Sequence, residues 1–381
     1  MNHRTMGRFY SIIGACIVGI LLTGTGDARD WSSGRADSQG TGATEESLPK
    51  DLDLLWEVEL EGIGFDATPI IVRDMVYAND YDGRIFALKL DSGKEVWRKE
   101  LDTEFVAAPT FKDGRLYVAD AFGSVMALDP ASGDEIWSYK GGAGEIKGGP
   151  VLYRDSLMFT SESGTLSKLS TKDGTLEWQY KTDAPILCSA SLAGDITFLG
   201  GCDEYLHVVD VETGKRIGDP VQIGQTQSTP AVAGSSVLIP VHSGDIFKFD
   251  INKERQLDLD WQVKDDKISD EFRNSLAVKD GIAVGSGRTK RVFAINIEDG
   301  EVLWSSRLRA QAEASPIIAG DSVFVAASDG RVVRFDLKTG EETWMFEVKR
   351  GFVAPPAAAN GKLVVANDRG TIFCFGEKSG K

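Results

Sequence analysis

The chain has 381 residues, 42% of them hydrophobic and 26% charged, and a formal net charge of −16 at pH 7. That apolar content supplies a full core, while the acidic balance argues against nucleic acid, whose phosphates demand a basic footprint. Four scattered Cys and three His leave little material for a zinc site or a disulfide-stapled mini-domain, and 42 Gly point to many tight turns.

Residues 1–28 read as a secretory signal peptide. Arg4 and Arg8 give a positive start, Phe9 to Leu22 form an apolar stretch, and small residues end at Ala28, where cleavage is expected. Cys16 sits in Ile-Gly-Ala-Cys, a loose match to a lipoprotein signal. The apolar run continues after it, whereas a lipidated Cys follows that run. A cleaved leader is therefore expected, and with it an exported protein. Residues 29–50 are polar and rich in Gly and Ser, the composition of a flexible linker.

From residue 51 to 381 the chain repeats. The turn-and-strand DSGKEVW (91–97) returns as ASGDEIW (131–137), KDGTLEW (172–178), EDGEVLW (298–304) and KTGEETW (338–344). Its glycines fall at 93, 133, 174, 214, 300, 340 and 380, and Glu254 takes the slot in a divergent copy. A second marker lies 24 residues upstream in each copy, at Pro69, Pro109, Pro150, Ala190, Pro230, Leu276, Pro316 and Pro356. Each copy holds four short strand-like runs separated by turn signals, the signature of one β-propeller blade. The eighth copy ends before any tryptophan strand, while DLDLLWEVEL (51–60) precedes the first copy with no blade of its own. The expectation is an all-β, eight-bladed propeller of four-stranded blades, closed by an N-terminal strand at about 53–60 that completes blade eight. Closure removes the sheet edges that an open array would expose.

The Asp-x-x-Thr-Gly-x-x-x-Trp turn, best kept in FDLKTGEETW and ALDPASGDEIW, resembles the docking repeat of the pyrroloquinoline quinone (PQQ) propeller family. That resemblance implies that Trp56, Trp97, Trp137, Trp178, Trp261, Trp304 and Trp344 dock on neighbouring blades. It covers two groups: quinoprotein dehydrogenases and non-enzymatic BamB-like members of the cell envelope. The dehydrogenases hold PQQ between a Trp and a ring of two adjacent Cys, with a calcium bound by Glu, Asn and Asp. This chain has no Cys-Cys pair, and hydrolase signatures such as Gly-x-Ser-x-Gly are absent. The resemblance thus implies a non-enzymatic periplasmic or envelope scaffold, monomeric, with no cofactor. Its partner would be a protein of outer-membrane assembly, and membrane contact would come through that partner or a lipid anchor. Two alternatives stand beside it: a PQQ- and calcium-dependent dehydrogenase, and a periplasmic sensor of sugars or peptides.

The loops entering each inner strand share a face with those between second and third strands. Phe65, Asp66, Phe105, Lys147, His242, Phe272, Glu313 and Phe352 are the candidate rim of a funnel there. Either these form an apolar collar and charged rim for a ligand, or the aromatic members simply pack the blade tops. The fifth copy carries six extra residues within 255–272, and insertions in repeat proteins often mark a binding side. Asp265, Asp266, Lys267, Asp270, Glu271, Arg273 and Arg288 are accordingly the candidate partner contact. Cys188 and Cys202 face each other across a loop centred on Asp195, a geometry for a disulfide. A two-residue turn at Gly194-Asp195 would instead set Cys188 opposite Gly201. Cys374 fills a slot that is Ala in blades one, two and six, and reads as a small core residue.

Overall fold

Each repeat folds as its turn residues dictate. In blade one, Ile70–Val72, Met75–Asn79, Arg84–Lys89 and Glu95–Glu100 pair antiparallel in that order. The innermost hairpin turns on two residues, with Arg73 at a φ of 54°, as tight hairpins require. The structure is a computed structural model that describes residues 30–378 apart from 61, 63, 142, 143, 269 and 270. The leader expected over 1–28 lies outside these residues. Eight such sheets follow one another, and no helix occurs among the described residues. Asp53–Glu59 pairs antiparallel with Thr371–Gly376 and completes blade eight, so the ring closes by the N-terminal strand as the repeat register requires.

Neighbouring blades are locked by the tryptophans. Indole Nε1 of Trp97 donates to the carbonyl of Pro130 in the next blade at 2.9 Å. Trp56, Trp137, Trp178, Trp261 and Trp304 do the same with Leu90, Thr171, Val211, Ile297 and Leu337, at 2.8–3.0 Å. The ring faces then lie on the turn glycine of that blade. A Cβ on Gly340 would come within 2.5 Å of Trp304, and one on Gly93 within 2.6 Å of Trp56. These turns need glycine twice over, because φ is also positive there, +70° at Gly340. Trp344 donates to Leu52 at 3.0 Å, so the last docking bond lands on the strand that closes the ring. Blade four lacks the Trp and carries Ile217 and Gly218 instead; blade five, its neighbour, lacks the glycine and carries Glu254. Where no indole presses on the turn, a side chain is tolerated.

Residues 30–50 depart from the flexible linker expected of them. They thread through the centre of the ring, and the reason lies in the backbone. The middle residue of each inner strand points its N–H into the channel, away from its hairpin partner. Ile71, Phe111, Leu192, Val232, Val278 and Ile318 donate those N–H groups to carbonyls of Trp31, Ser32, Ser38, Gln39, Thr41 and Gly42. Ala43–Thr44 even adds a fifth, parallel strand to blade seven. The Glu46 carboxylate accepts the N–H groups of Asn360 and Gly361 in blade eight, at 2.7 and 2.5 Å. Trp31 and Leu48 are buried, and Arg334 holds the carbonyl of Pro49 at 2.8 Å. Polar composition signals mobility only when the backbone has no better partner than water. Here it has a ring of unpaired donors.

The docking analysis predicts that Trp304→Ala, which empties a nearly buried indole site, lowers stability by about 3–5 kcal/mol. Denaturant unfolding of the variant checks this. A loss below about 1 kcal/mol would mean that the indole is not what holds blade six to blade seven.

Candidate functional site

A one-residue step decides which loop residues face the channel. Phe65, Phe105, Ile146, Ile186, Phe272 and Phe352, four positions before the second marker, are buried to within about 1%. They plug the blade tops, with Phe65 and Phe352 set edge-on to Phe86 and Phe373. The apolar collar of the expected funnel rim is therefore core, and Phe65, Phe105, Phe272 and Phe352 leave the site. The next residue in each blade points inward. Asp66, Lys147, Gln227, Arg273 and Glu313 line a chamber of about 400 Å³ at this mouth of the channel. Gly34 and Arg35 of the threaded segment also line it, so the funnel is blind rather than a pore. A second chamber of about 640 Å³ lies between that segment and the inner strands of blades two to six.

The rim charges are mostly spent on one another. Lys147 bridges Glu145 at 3.2 Å and Glu162 at 3.3 Å, and Tyr81 donates to Asp66 at 2.9 Å. His242 is half-buried behind the rim rather than on it: its Nε2 is buried without a partner, and burial lowers its basicity. The chamber wall carries a row of hydroxyls that sequence reasoning missed. Ser189, Thr229, Ser275 and Ser315 stand just before the second marker, and the N–H of each of the first three donates to the next blade's hydroxyl at 2.9–3.2 Å. The signal was present in the ladder itself, as four consecutive hydroxyl residues in one repeat slot.

The inserted loop of blade five is tethered. Ile268 is buried, and Ser305 of blade six donates to the carbonyl of Lys267 at 3.0 Å. Asp265 accepts the Lys267 N–H at 2.7 Å, closing a turn that leaves Asp266 and Lys267 exposed. Of the candidate partner residues, Glu271, Arg273 and Arg288 come together, with Arg273 at 2.6 Å and Arg288 at 3.5 Å from the Glu271 carboxylate. Asp270 lies outside the described residues, and Arg273 also serves the chamber.

The proposed bridge between Cys188 and Cys202 is absent; both thiols are free. Ser191 pairs with Phe198 and Ala193 with Ile196, a two-residue turn at Gly194-Asp195. That register runs on to set Cys188 opposite Gly201 and turns Cys202 to the other face. Cys374 is buried in the core of blade eight. His207 proves to be the centre of a buried chain: Asp203 accepts from Nε2 at 2.8 Å, and Tyr180 donates to Nδ1 at 2.9 Å. This chain ties the outer strand of blade three to the third strand of blade four.

The family model described as outer membrane protein assembly factor BamB matches residues 49–185, 82–269 and 258–381. Curated relatives include outer membrane protein assembly factor BamB of Legionella pneumophila, 23% identical over 47% of this chain and 49% of the relative. The Escherichia coli protein of the same name is 27% identical over 42% of this chain and 36% of its own length. The chain thus spans half or less of these relatives. Among solved structures, BamB from Moraxella catarrhalis superposes with a TM-score of 0.71 at 19% identity, covering 87% of this chain and 99% of that one. Quinohemoprotein alcohol dehydrogenase from Comamonas testosteroni reaches 0.75 at 14% identity, over 93% and 82%. Identities this low show a shared fold alone.

Burial pushes the thiols of Cys188 and Cys374 up to about 12, while Cys202 is raised less and stays half exposed. In the folded protein at pH 8 a thiol reagent should modify Cys202 first, with Cys188 and Cys374 reacting only on unfolding. Intact mass should not change on reduction. A mass gain of two hydrogens would contradict the register read here.

Proposed function

The chain belongs to the BamB family of outer membrane protein assembly factors, and on that premise we propose that it is an exported, non-enzymatic scaffold that binds a protein partner in outer-membrane assembly. The observation that carries the proposal is the family match across all eight blades, from residue 49 to 381. The geometry agrees with a display platform. The ring is closed by its own strand, its channel is filled by its own segment, and its sequence-specific departures sit on loops. The tethered loop of blade five, with exposed Asp266 and Lys267 beside the Glu271–Arg273–Arg288 cluster, is the surface proposed for the partner.

The dehydrogenase reading finds less support in the same residues. The chamber is floored by Gly34 and Arg35 rather than by an indole, and Tyr81 is the one aromatic residue lining it. Among the described residues no three His, Cys, Asp or Glu side chains converge to hold a metal ion. The lining therefore does not fit PQQ and calcium as the resemblance requires, and no step is drawn through them.

Deleting the gene from its own host should lower the level of folded outer-membrane barrels, measured by heat-modifiable migration in gels. A variant with Asp266→Lys, Lys267→Glu and Glu271→Lys should fail to restore it while melting within a few degrees of the wild type, since these are surface changes. Normal barrel levels in the deletion strain would overturn the scaffold reading. A melting point that rises clearly with PQQ and calcium would do so too, since ligand at 100 times its dissociation constant adds roughly 2.7 kcal/mol.

A further inference from the structure

The floor of the funnel holds a buried cation that makes no ion-pair contact among the described residues and feels the charge of Asp37 only from a distance. Arg35 is 8% exposed, its Nη1 and Nη2 donate to the carbonyls of Pro316 and Leu276 at 3.1 and 2.7 Å, and its Nε has no partner. No carboxylate lies within ion-pair reach among the described residues. The nearby Asp37 is turned to its own loop, where it accepts from Gln39 N at 2.9 Å, from Thr41 N at 3.2 Å and from the Thr41 hydroxyl. A buried guanidinium satisfied only by neutral carbonyls is costly, and burial lowers it to about 10. An anion in the chamber above would supply the missing charge.

The chamber wall is prepared for one. Thr229, Ser275 and Ser315 each accept a backbone N–H from the preceding blade, so the acceptor side of the hydroxyl is used. None of the three donates its own proton to another described group, and all three line the chamber. That leaves three O–H donors and a guanidinium on one surface, a set that matches carboxylate oxygens.

The rim carries the opposite imbalance. Its cations are already taken, Lys147 by two glutamates and Arg273 by Glu271. Glu313 is exposed, lines the same chamber and forms no ion pair with a described residue. Unspent positive charge sits at the bottom and unspent negative charge at the mouth.

We propose that the funnel is a binding site for a small zwitterion, a peptide of dipeptide size whose carboxylate seats above Arg35 among the hydroxyls and whose ammonium meets Glu313. The chamber volume of about 400 Å³ takes a molecule of dipeptide size. The site depends on the threaded N-terminal segment, which supplies Arg35, and it stands independently of the scaffold reading.

The test is calorimetric titration of the purified protein with four probes: Ala-Ala, its C-terminal amide, its N-acetyl form, and succinate. Ala-Ala should bind saturably. The amide and the acetylated peptide should each bind more than about tenfold more weakly, as the loss of a charged hydrogen bond implies. Succinate should also be weaker, because its second carboxylate faces Glu313. Glu313→Gln, an exposed change that leaves the fold alone, should weaken Ala-Ala and leave the acetylated peptide unaffected. Arg35→Met should abolish binding, and Arg35→Lys should restore part of it. Binding of the amide as tight as that of the free acid would overturn the proposal, as would succinate equalling Ala-Ala. An unchanged affinity in Glu313→Gln, or no saturable binding of Ala-Ala up to roughly 10 mM, would overturn it as well. If Ala-Ala fails and succinate binds, the floor is a plain anion site and the zwitterion is wrong. Uptake of a free amino acid with no uptake of Ala-Ala at that concentration would likewise refute the dipeptide-sized chamber.

Discussion

The ring is held by one contact repeated six times, an indole of one blade lying on the turn glycine of the next and donating to a carbonyl of that blade, while a seventh indole, Trp344, donates to Leu52 at the closure. The contact combines apolar burial, a directional hydrogen bond and a backbone conformation that side chains resist. It therefore constrains two positions 36 to 39 residues apart at once. The paired loss in blades four and five shows the coupling from the other side. Without Trp in one blade the glycine of the next is no longer required, and Glu254 with Arg255 at a φ of 62° turns the chain instead. Arg255 then ties the two blades by an ion pair to Asp210 at 2.8 Å. A solvent-facing ion pair is a weaker lock than a buried indole.

The threaded segment changes what the fold can do. A propeller with an open axis offers a passage; this one offers two separate chambers, back to back, divided by residues 33–41. The two share Gly34, Arg35, Gly149, Ser189 and Thr229 in their linings, so a change at any of these residues reports on both. Anything bound at the funnel mouth meets a floor that belongs to this segment rather than to the blades. Neither BamB from Moraxella catarrhalis nor the quinohemoprotein dehydrogenase, both alike in fold at under 20% identity, informs the chemistry of that floor.

The sequence carried the architecture almost whole, since blade turns, docking residues and the closing strand are written in side chains at a fixed spacing. It carried the site less well, for reasons that differ residue by residue. At the blade tops Phe65 and Asp66 are adjacent, and a reading by repeat slot cannot tell the inward position from the packed one. The Cys188–Cys202 question turned on a single residue of turn length, which flips a side chain from one sheet face to the other. Residues 30–50 were misread because their interactions run through backbone carbonyls, which leave no trace in composition. Trp31, buried and bonded through its backbone to Ile71, and the buried Leu48 are the large apolar side chains there that point to order.

That segment also sets a clock on folding. Arg35 reaches Pro316 across 281 residues, Arg334 reaches Pro49 across 285, and Trp344 reaches Leu52 across 292. Contacts of such separation are the slowest to form, because the intervening chain must first be ordered. Arg35, Pro49 and Leu52 thus find these partners only once blade seven has formed. Until blades seven and eight exist, the contacts of Gly42 with Ile318 and of Glu46 with Asn360 and Gly361 stay unmade and the ring keeps two raw edges. Completion is therefore a late event in which the last axial contacts and the seam are sealed together, and a chain interrupted before it would be left as an open arc with its segment already laid along the early blades.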